Sequence, residues 1–187
     1  MTEKIIIAGA GGQGIMLLGK ILAFSAMREN KFTTWLPAYG AEVRGGTAHC
    51  MVIVSAQEIG SPYIGQADTL IIMNQPSLVR FQPKLKKNGK LFVNSSLVKG
   101  RLENSLEIFK YPFTDIAEDL GNIRIANMVA LGCYLGQSDN IKIKTVLNTI
   151  NEIAPPDKKI LVEINQEAVL KGANLVKCQV PSLGGIK

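Results

Sequence analysis

Uninterrupted apolar runs alternate with amphipathic stretches along this chain. Ile5, Ile6 and Ile7 follow one another with no polar residue between them; three consecutive β-branched side chains suit a strand buried on both faces, as in the middle of a parallel sheet. The run Lys4–Ala8 gives way to Gly9-Ala-Gly-Gly-Gln-Gly14 and then to an amphipathic stretch from Ile15 to Met27. This first unit reads as strand, glycine turn and helix, with the strand innermost. Further strand-like runs are Phe32–Leu36, ending at Pro37, then Thr47–Ser55, Ala67–Met73, Lys90–Asn94 and a short one at Glu107–Tyr111. Pro76 stands near the start of a helical run that continues through Phe81.

The last third is helical. Pro112–Leu120 ends at Gly121, where a left-handed cap is expected. Ile125, Met128, Val129, Gly132, Tyr134 and Leu135 then define a helix apolar almost all round, which predicts nearly complete burial. A third helix covers Ile143–Ile153 and stops at Pro155-Pro156, and a last one spans much of Lys158–Val176, with Gly172 as a break point. Residues 181–187 lack periodicity and are predicted to be a mobile tail. The pattern predicts an α/β fold: a Rossmann-like, mainly parallel twisted sheet flanked by helices, with a helical C-terminal third, in one domain over 1–187.

Gly9, Gly11 and Gly14 match the G-x-G-x-x-G spacing, in which the glycines allow a tight turn, close approach of a ligand and close helix–strand packing. The unpaired amides and positive end of the following helix attract phosphate or carboxylate. A dinucleotide site also needs an acid at the end of the second strand to hold a ribose hydroxyl. That test fails, because the first acid after Phe32–Leu36 is Glu42, inside a loop.

Composition narrows the classes. Lys and Arg exceed Asp and Glu by 21 − 15 = 6, a balance that suits nucleic acid, an acidic partner or a phosphate-bearing ligand. The densest basic group, Lys84, Lys86, Lys87 and Lys90, is predicted to be a solvated loop closed by Asn88-Gly89 and has few aromatic neighbours, so nucleic acid is not an expected partner. The one long apolar stretch near the N-terminus is broken by five glycines and lacks a basic leader, so a membrane span and a signal peptide are not expected and the location should be cytoplasmic. Cys50, Cys133 and Cys178 are widely spaced, without Cys-x-x-Cys, and read as reduced thiols; three cysteines cannot hold a four-thiolate cluster.

A second small-residue loop, Leu36–His49, packs Tyr39, Glu42 and Arg44 among Gly40, Gly45 and Gly46. Leaving the second strand, it should stand beside the Gly9–Gly14 turn at the carboxyl edge of the sheet. With Gly9-Ala-Gly-Gly-Gln-Gly14, Tyr39-Gly-Ala-Glu-Val-Arg-Gly-Gly-Thr47 and Asn127-Met-Val-Ala-Leu-Gly132 in order, the chain resembles the gamma subunit of a 2-oxoacid:ferredoxin oxidoreductase over nearly its whole length. The Tyr-Gly-x-Glu-x-Arg-Gly-Gly form resembles the separate gamma chains of the 2-oxoglutarate and branched-chain enzymes more than the indolepyruvate type, with 2-oxoglutarate preferred.

The resemblance implies part of an enzyme that oxidatively decarboxylates a 2-oxoacid, here 2-oxoglutarate to succinyl-CoA with release of CO2, and passes electrons to ferredoxin or flavodoxin. It implies alpha and beta partner subunits, with delta as a further one. Thiamine diphosphate, Mg and the iron–sulfur clusters would be held by those partners and none by this chain, which alone should be inactive. Coenzyme A would be a substrate at an edge formed by Gly9, Gly11, Gly12, Gln13, Gly14, Tyr39, Glu42, Arg44, Gly45 and Gly46. Alternatives are a branched-chain (2-oxoisovalerate) or pyruvate complex of the same family, a free-standing dinucleotide-binding oxidoreductase, and a coenzyme-A-binding module without chemistry.

Most of these residues carry two readings. The glycine turn can bind phosphate or dock a partner loop; Arg44 can take an anion in two parallel hydrogen bonds or brace the loop against Glu42. Tyr39 is a contact residue or a loop anchor packed on the sheet. His49 sits beside Cys50, but neighbours on a strand point to opposite faces, so a packed histidine is expected rather than a catalytic pair. Asn127 inside an apolar helix is expected to hold a neighbouring loop, Met73 and Met128 to be core, and Trp35 to be core or to face another subunit.

Overall fold

A computed structural model describes residues 1–39, 46–100, 102, 107–155 and 159–177. Strand β1 (Thr2–Ala10) leads through the glycine turn to helix α1 (Ile15–Arg28), followed by β2 (Phe32–Tyr39), β3 (Thr47–Ser55) and β4 (Ala67–Ile72). Helix α2 (Gln75–Phe81), β5 (Leu85–Asn94) and β6 (Glu107–Tyr111) complete the sheet region, and α3 (Phe113–Asp119), α4 (Ala126–Gly136), α5 (Ile143–Ile153) and α6 (Lys159–Lys177) close the chain. The strands form one six-stranded sheet in the order β2-β3-β1-β4-β5-β6.

β1 pairs in parallel with β4, β4 with β5 and β5 with β6, whereas β3 runs antiparallel to both β1 and β2. Five strands therefore share one direction, so the sheet is mainly parallel as the apolar pattern predicts, and β3 alone is reversed, which makes it mixed. The cause is the connection. The seven residues between β2 and β3 are too few for the crossover of a dozen or more that a parallel neighbour needs, and the two strands pair antiparallel instead.

Alternation along the strands splits the core in two. Ile5, Ile7, Cys50, Val52, Ile71 and Phe92 face a cluster built with α1, α3, α4, α5 and α6, while Ile6, Ala8, Met51, Ile53, Leu70, Leu91 and Val93 face Leu78 and Phe81 of α2 and the loop residues Ile64 and Val98. Ile5, Ile6 and Ile7 are fully buried, and each such side chain contributes roughly 1.5–3 kcal/mol relative to exposure. The first strand is thus held from both faces, as three adjacent isoleucines predict.

Helix α4 is buried at every residue from Ala126 to Leu135. Gly172 does not break α6, which runs through it; a Cβ there would lie 2.1 Å from the Val129 carbonyl oxygen, and one at Gly132 would lie 2.1 Å from that of Val169. These glycines let the two backbones touch. Gly121 takes the left-handed φ of 87° expected after α3. The lysine group also departs from expectation, since Lys86, Lys87 and Lys90 belong to β5. Leu85 pairs with Ala67 and Lys90 with Thr69, so five steps along β5 pass two along β4 and Lys86, Lys87 and Asn88 are exposed like a loop.

At the start of β1 the buried Glu3 accepts hydrogen bonds from the hydroxyls of Tyr134 (2.7 Å) and Thr69 (2.6 Å) and from Asn140 Nδ2. Burial, and next the Glu3 charge, push the Tyr134 hydroxyl well above its ordinary value. Cys178 and the tail at 181–187 lie outside the described residues.

Candidate functional site

The site is built on the carboxyl end of β1. The chain turns out of the sheet after Ala10 and re-enters helical geometry at Gly14, whose φ of 69° is left-handed. An L side chain is strained there, and a Cβ would also stand 2.3 Å from Asn127 Nδ2. Asn127 Nδ2 donates to the Gly14 carbonyl at 3.0 Å, which ties the turn to the buried helix α4. The expected role of Asn127, holding a neighbouring loop, is what it performs.

Gln13 folds back into its own turn. Its Oε1 accepts from the Ala10 amide at 2.7 Å, and its Nε2 donates to the Met73 carbonyl at 3.5 Å, just past the end of β4. A Cβ at Gly9 would lie 2.6 Å from that Oε1 and 2.9 Å from Met73 Cβ, so Gly9 is the residue that gives the glutamine room. Gln13 is therefore a brace between two strand ends.

Gly11 and Gly12 remain exposed at the tip. Helix α1 has no acid in its first turn and no side-chain cap, so no carboxylate of its own first turn offsets its positive end. The second glycine loop reaches the same place. The Gly11 amide donates to the Gly46 carbonyl at 2.9 Å, and Ala10 pairs with Thr47 across β1 and β3. Gly46 and Thr47, the described end of the second loop, stand at this edge because the reversed β3 begins where β1 ends. Glu42, Arg44 and Gly45 lie outside the described residues. Tyr39 ends β2 with 72% of its surface exposed, which excludes a ring packed on the sheet and leaves it available for contact.

Arg80 and Asn94, which the sequence did not single out, and Lys84 of the basic group complete this edge. Arg80 Nη1 donates to Thr47 Oγ1 at 3.1 Å, with its guanidinium 5.3 Å from the Phe81 ring, and Lys84 lies over Phe81 and Tyr63. Fully buried Asn94 donates to the Met73 carbonyl (3.3 Å) and to Thr114 Oγ1 (2.8 Å). A polar residue closing the apolar run Leu91-Phe-Val-Asn94 was the available signal for it.

His49 packs on Phe81 with ring centroids 4.8 Å apart, on the face opposite Cys50. Burial first, then the charges of Arg80 and Lys84, hold its imidazole below the ordinary histidine value, which disfavours the charged form. Cys50 and Cys133 are free and buried, their thiols pushed up to about 12 chiefly by burial; they donate to the carbonyls of Ile15 (3.6 Å) and Gly172 (3.3 Å). Such thiols are packing groups rather than nucleophiles or metal ligands. Among the described residues no group of three or more His, Cys, Asp or Glu is placed to hold a metal ion. No described helix is long and apolar enough to cross a membrane. Trp35 packs against the main core, and Met73 and Met128 are fully buried in it.

In a dinucleotide-binding sheet the crossover after the glycine turn sets the second strand beside the first, where its terminal acid meets the ribose. Here β3 occupies that place. The fold and this edge define a Rossmann-like α/β domain with a glycine turn at the carboxyl end of its first strand. The chain belongs to the pyruvate ferredoxin/flavodoxin oxidoreductase family, whose model matches residues 4–175, and within it to the gamma-subunit type.

It is 30% identical to the 2-oxoglutarate synthase subunit KorC of Methanocaldococcus jannaschii, covering 95% of each chain. It is 37% identical over 132 residues to the ketoisovalerate oxidoreductase subunit VorA of Methanothermobacter marburgensis, a match that takes in 71% of this chain and 28% of that relative's length. Among solved structures it superposes on the keto/oxoacid ferredoxin oxidoreductase gamma subunit from Geobacter sulfurreducens with a TM-score of 0.82 and 28% identity, covering 95% of this chain and 99% of the other. The same fold, at 21% identity and a TM-score of 0.88, makes up 32% of a chain of 2-oxoglutarate:ferredoxin oxidoreductase from Magnetococcus marinus with 2-oxoglutarate, coenzyme A and succinyl-CoA bound; 96% of this chain is covered.

Proposed function

We propose that the chain serves a complex that converts 2-oxoglutarate and coenzyme A to succinyl-CoA, CO2 and a proton, with two electrons passed to ferredoxin or flavodoxin. In this reading the chain holds no redox cofactor. Alpha and beta subunits, with delta as a further one, carry thiamine diphosphate, Mg and the iron–sulfur clusters, while this chain supplies the edge against which coenzyme A lies. The observation that carries the reading is the Gly11–Gly46 hydrogen bond of 2.9 Å, which joins two glycine-rich loops in front of a helix terminus without an acid in its first turn. Exposed backbone at that edge suits phosphate groups, and Arg44 in the same loop suits a bidentate phosphate contact. The whole-length likeness to a 2-oxoglutarate synthase subunit supports the choice of oxoacid.

Expression with its neighbouring subunits tests this. The complex should turn over 2-oxoglutarate faster than 2-oxoisovalerate or pyruvate, and the purified chain alone should be inactive. The likeness to a ketoisovalerate oxidoreductase subunit favours a branched-chain substrate as the second reading, and faster turnover of 2-oxoisovalerate would establish it. Arg44→Ala is expected to weaken coenzyme A binding by the complex about tenfold without dissolving it. Loss of assembly with unchanged affinity would reassign Arg44 to bracing the loop against Glu42.

A further inference from the structure

The outward face of α1 is built for contact. Along this helix the side chains that reach solvent are Leu17, Lys20, Phe24, Met27 and Arg28. Arg28 is turned toward α5, donating to Thr149 Oγ1 at 2.7 Å and pairing with Glu152. The remaining four, at spacings of 3, 4 and 3, form one stripe down the helix. A surface helix carries polar residues on such a stripe. Here three of the four are large and apolar, with Leu17 42%, Phe24 39% and Met27 57% exposed, and Phe32, 46% exposed, opens β2 just beyond the helix. Lys20 holds its ammonium 5.6 Å from the Phe24 ring, and among the described residues it forms no ion pair.

We infer that this stripe is the seat of the larger subunit of the same complex, which presents an apolar face with a carboxylate opposite Lys20. Three observations select that occupant. A four-residue stripe on a helix about 21 Å long covers on the order of a few hundred Å², short of the roughly 800 Å² per partner of a stable interface, so it belongs to a wider contact than a self-pair through the stripe provides. Its only charge is basic and unpaired, which calls for an acidic complement. In the ketoisovalerate relative the matching unit is 28% of one polypeptide, so the same unit occurs covalently joined to a much larger remainder. Because Gly14 caps α1, a partner seated on the helix also fixes the glycine turn.

The inference rests on the complex proposed above. The test is affinity recovery of the co-expressed complex through this chain. Phe24→Glu and Met27→Glu should each lower recovery of the other subunits about tenfold or more, with the thermal midpoint of the isolated chain unchanged, because both positions are exposed. Leu161→Glu and Leu170→Glu, exposed on α6, should leave recovery as in the wild type. A benzophenone side chain at position 24 of the otherwise native chain should crosslink to the larger subunit, a readout independent of how the glutamate variants fold. Wild-type recovery by Phe24→Glu, or a crosslink only to a second copy of this chain, overturns the inference alone. If the wild-type chain recovers no other subunit, the complex itself is wrong and the inference falls with it.

Discussion

Gln13 spends its side chain inside the turn, on the Ala10 amide and the Met73 carbonyl. Gln13→Ala leaves that amide short of a partner, and urea unfolding should register a loss of about 1–3 kcal/mol. Gly14→Ala should cost about 1–2 kcal/mol through its left-handed φ alone, with more from overlap on Asn127; unchanged stability would show that the turn is not held as described. His49 gives a pH signature. Its folded-state value is depressed, so as pH falls through about 6.5 the unfolded chain takes up the proton first and stability drops. His49→Gln should remove that part of the loss, visible as a shallower decline in the urea midpoint between pH 7.5 and 5.5, and an identical decline would assign it elsewhere. Asn127 was legible in the sequence because a lone amide in an apolar helix must find a partner. Gln13 was not, since a side chain that folds back on its own loop leaves no periodic trace.

The contact between α4 and α6 depends on side chains that are not there. Gly172→Ala drives a methyl into the Val129 carbonyl, and the helices must separate; about 1–3 kcal/mol of stability should be lost in thermal or urea unfolding. In the sequence Gly172 looks like a flaw in a helix, because propensity counts what glycine costs the helix and is blind to what lies against it. The all-round apolar pattern of α4 was legible for the opposite reason, since burial on every side needs no knowledge of the neighbour. The direction of β3 stood between these cases. Strand period says nothing about direction, but the brevity of residues 40–46 did, and it outweighs the α/β analogy.

On the scale of the molecule, the sheet is covered unequally, with α1, α3, α4, α5 and α6 on one face and α2 with loops on the other among the described residues. Family membership was legible in the order of three motifs spread over the chain, and the fold brings two of them, the turn and Asn127, into direct contact, while Gly46 and Thr47 of the third lie beside the turn. The exposed apolar stripe of α1 was not legible, because an amphipathic pattern identifies the side turned toward the core and leaves the outer face to be read from exposure.

The reversal of β3 also sets an order of events during folding. β2 and β3 pair across a connection of only seven residues, whereas β1 must meet β3 and β4, and Glu3 closes on Tyr134 across 131 residues. Chain-closure entropy favours the hairpin as an early element and the docking of the central strand as a late one. Val54→Ala, in β3, should then mainly slow refolding, and Tyr134→Phe should mainly speed unfolding; stopped-flow rates with the reverse partition would give the nucleus to β1. The innermost strand, first in the chain, would be the last to be enclosed.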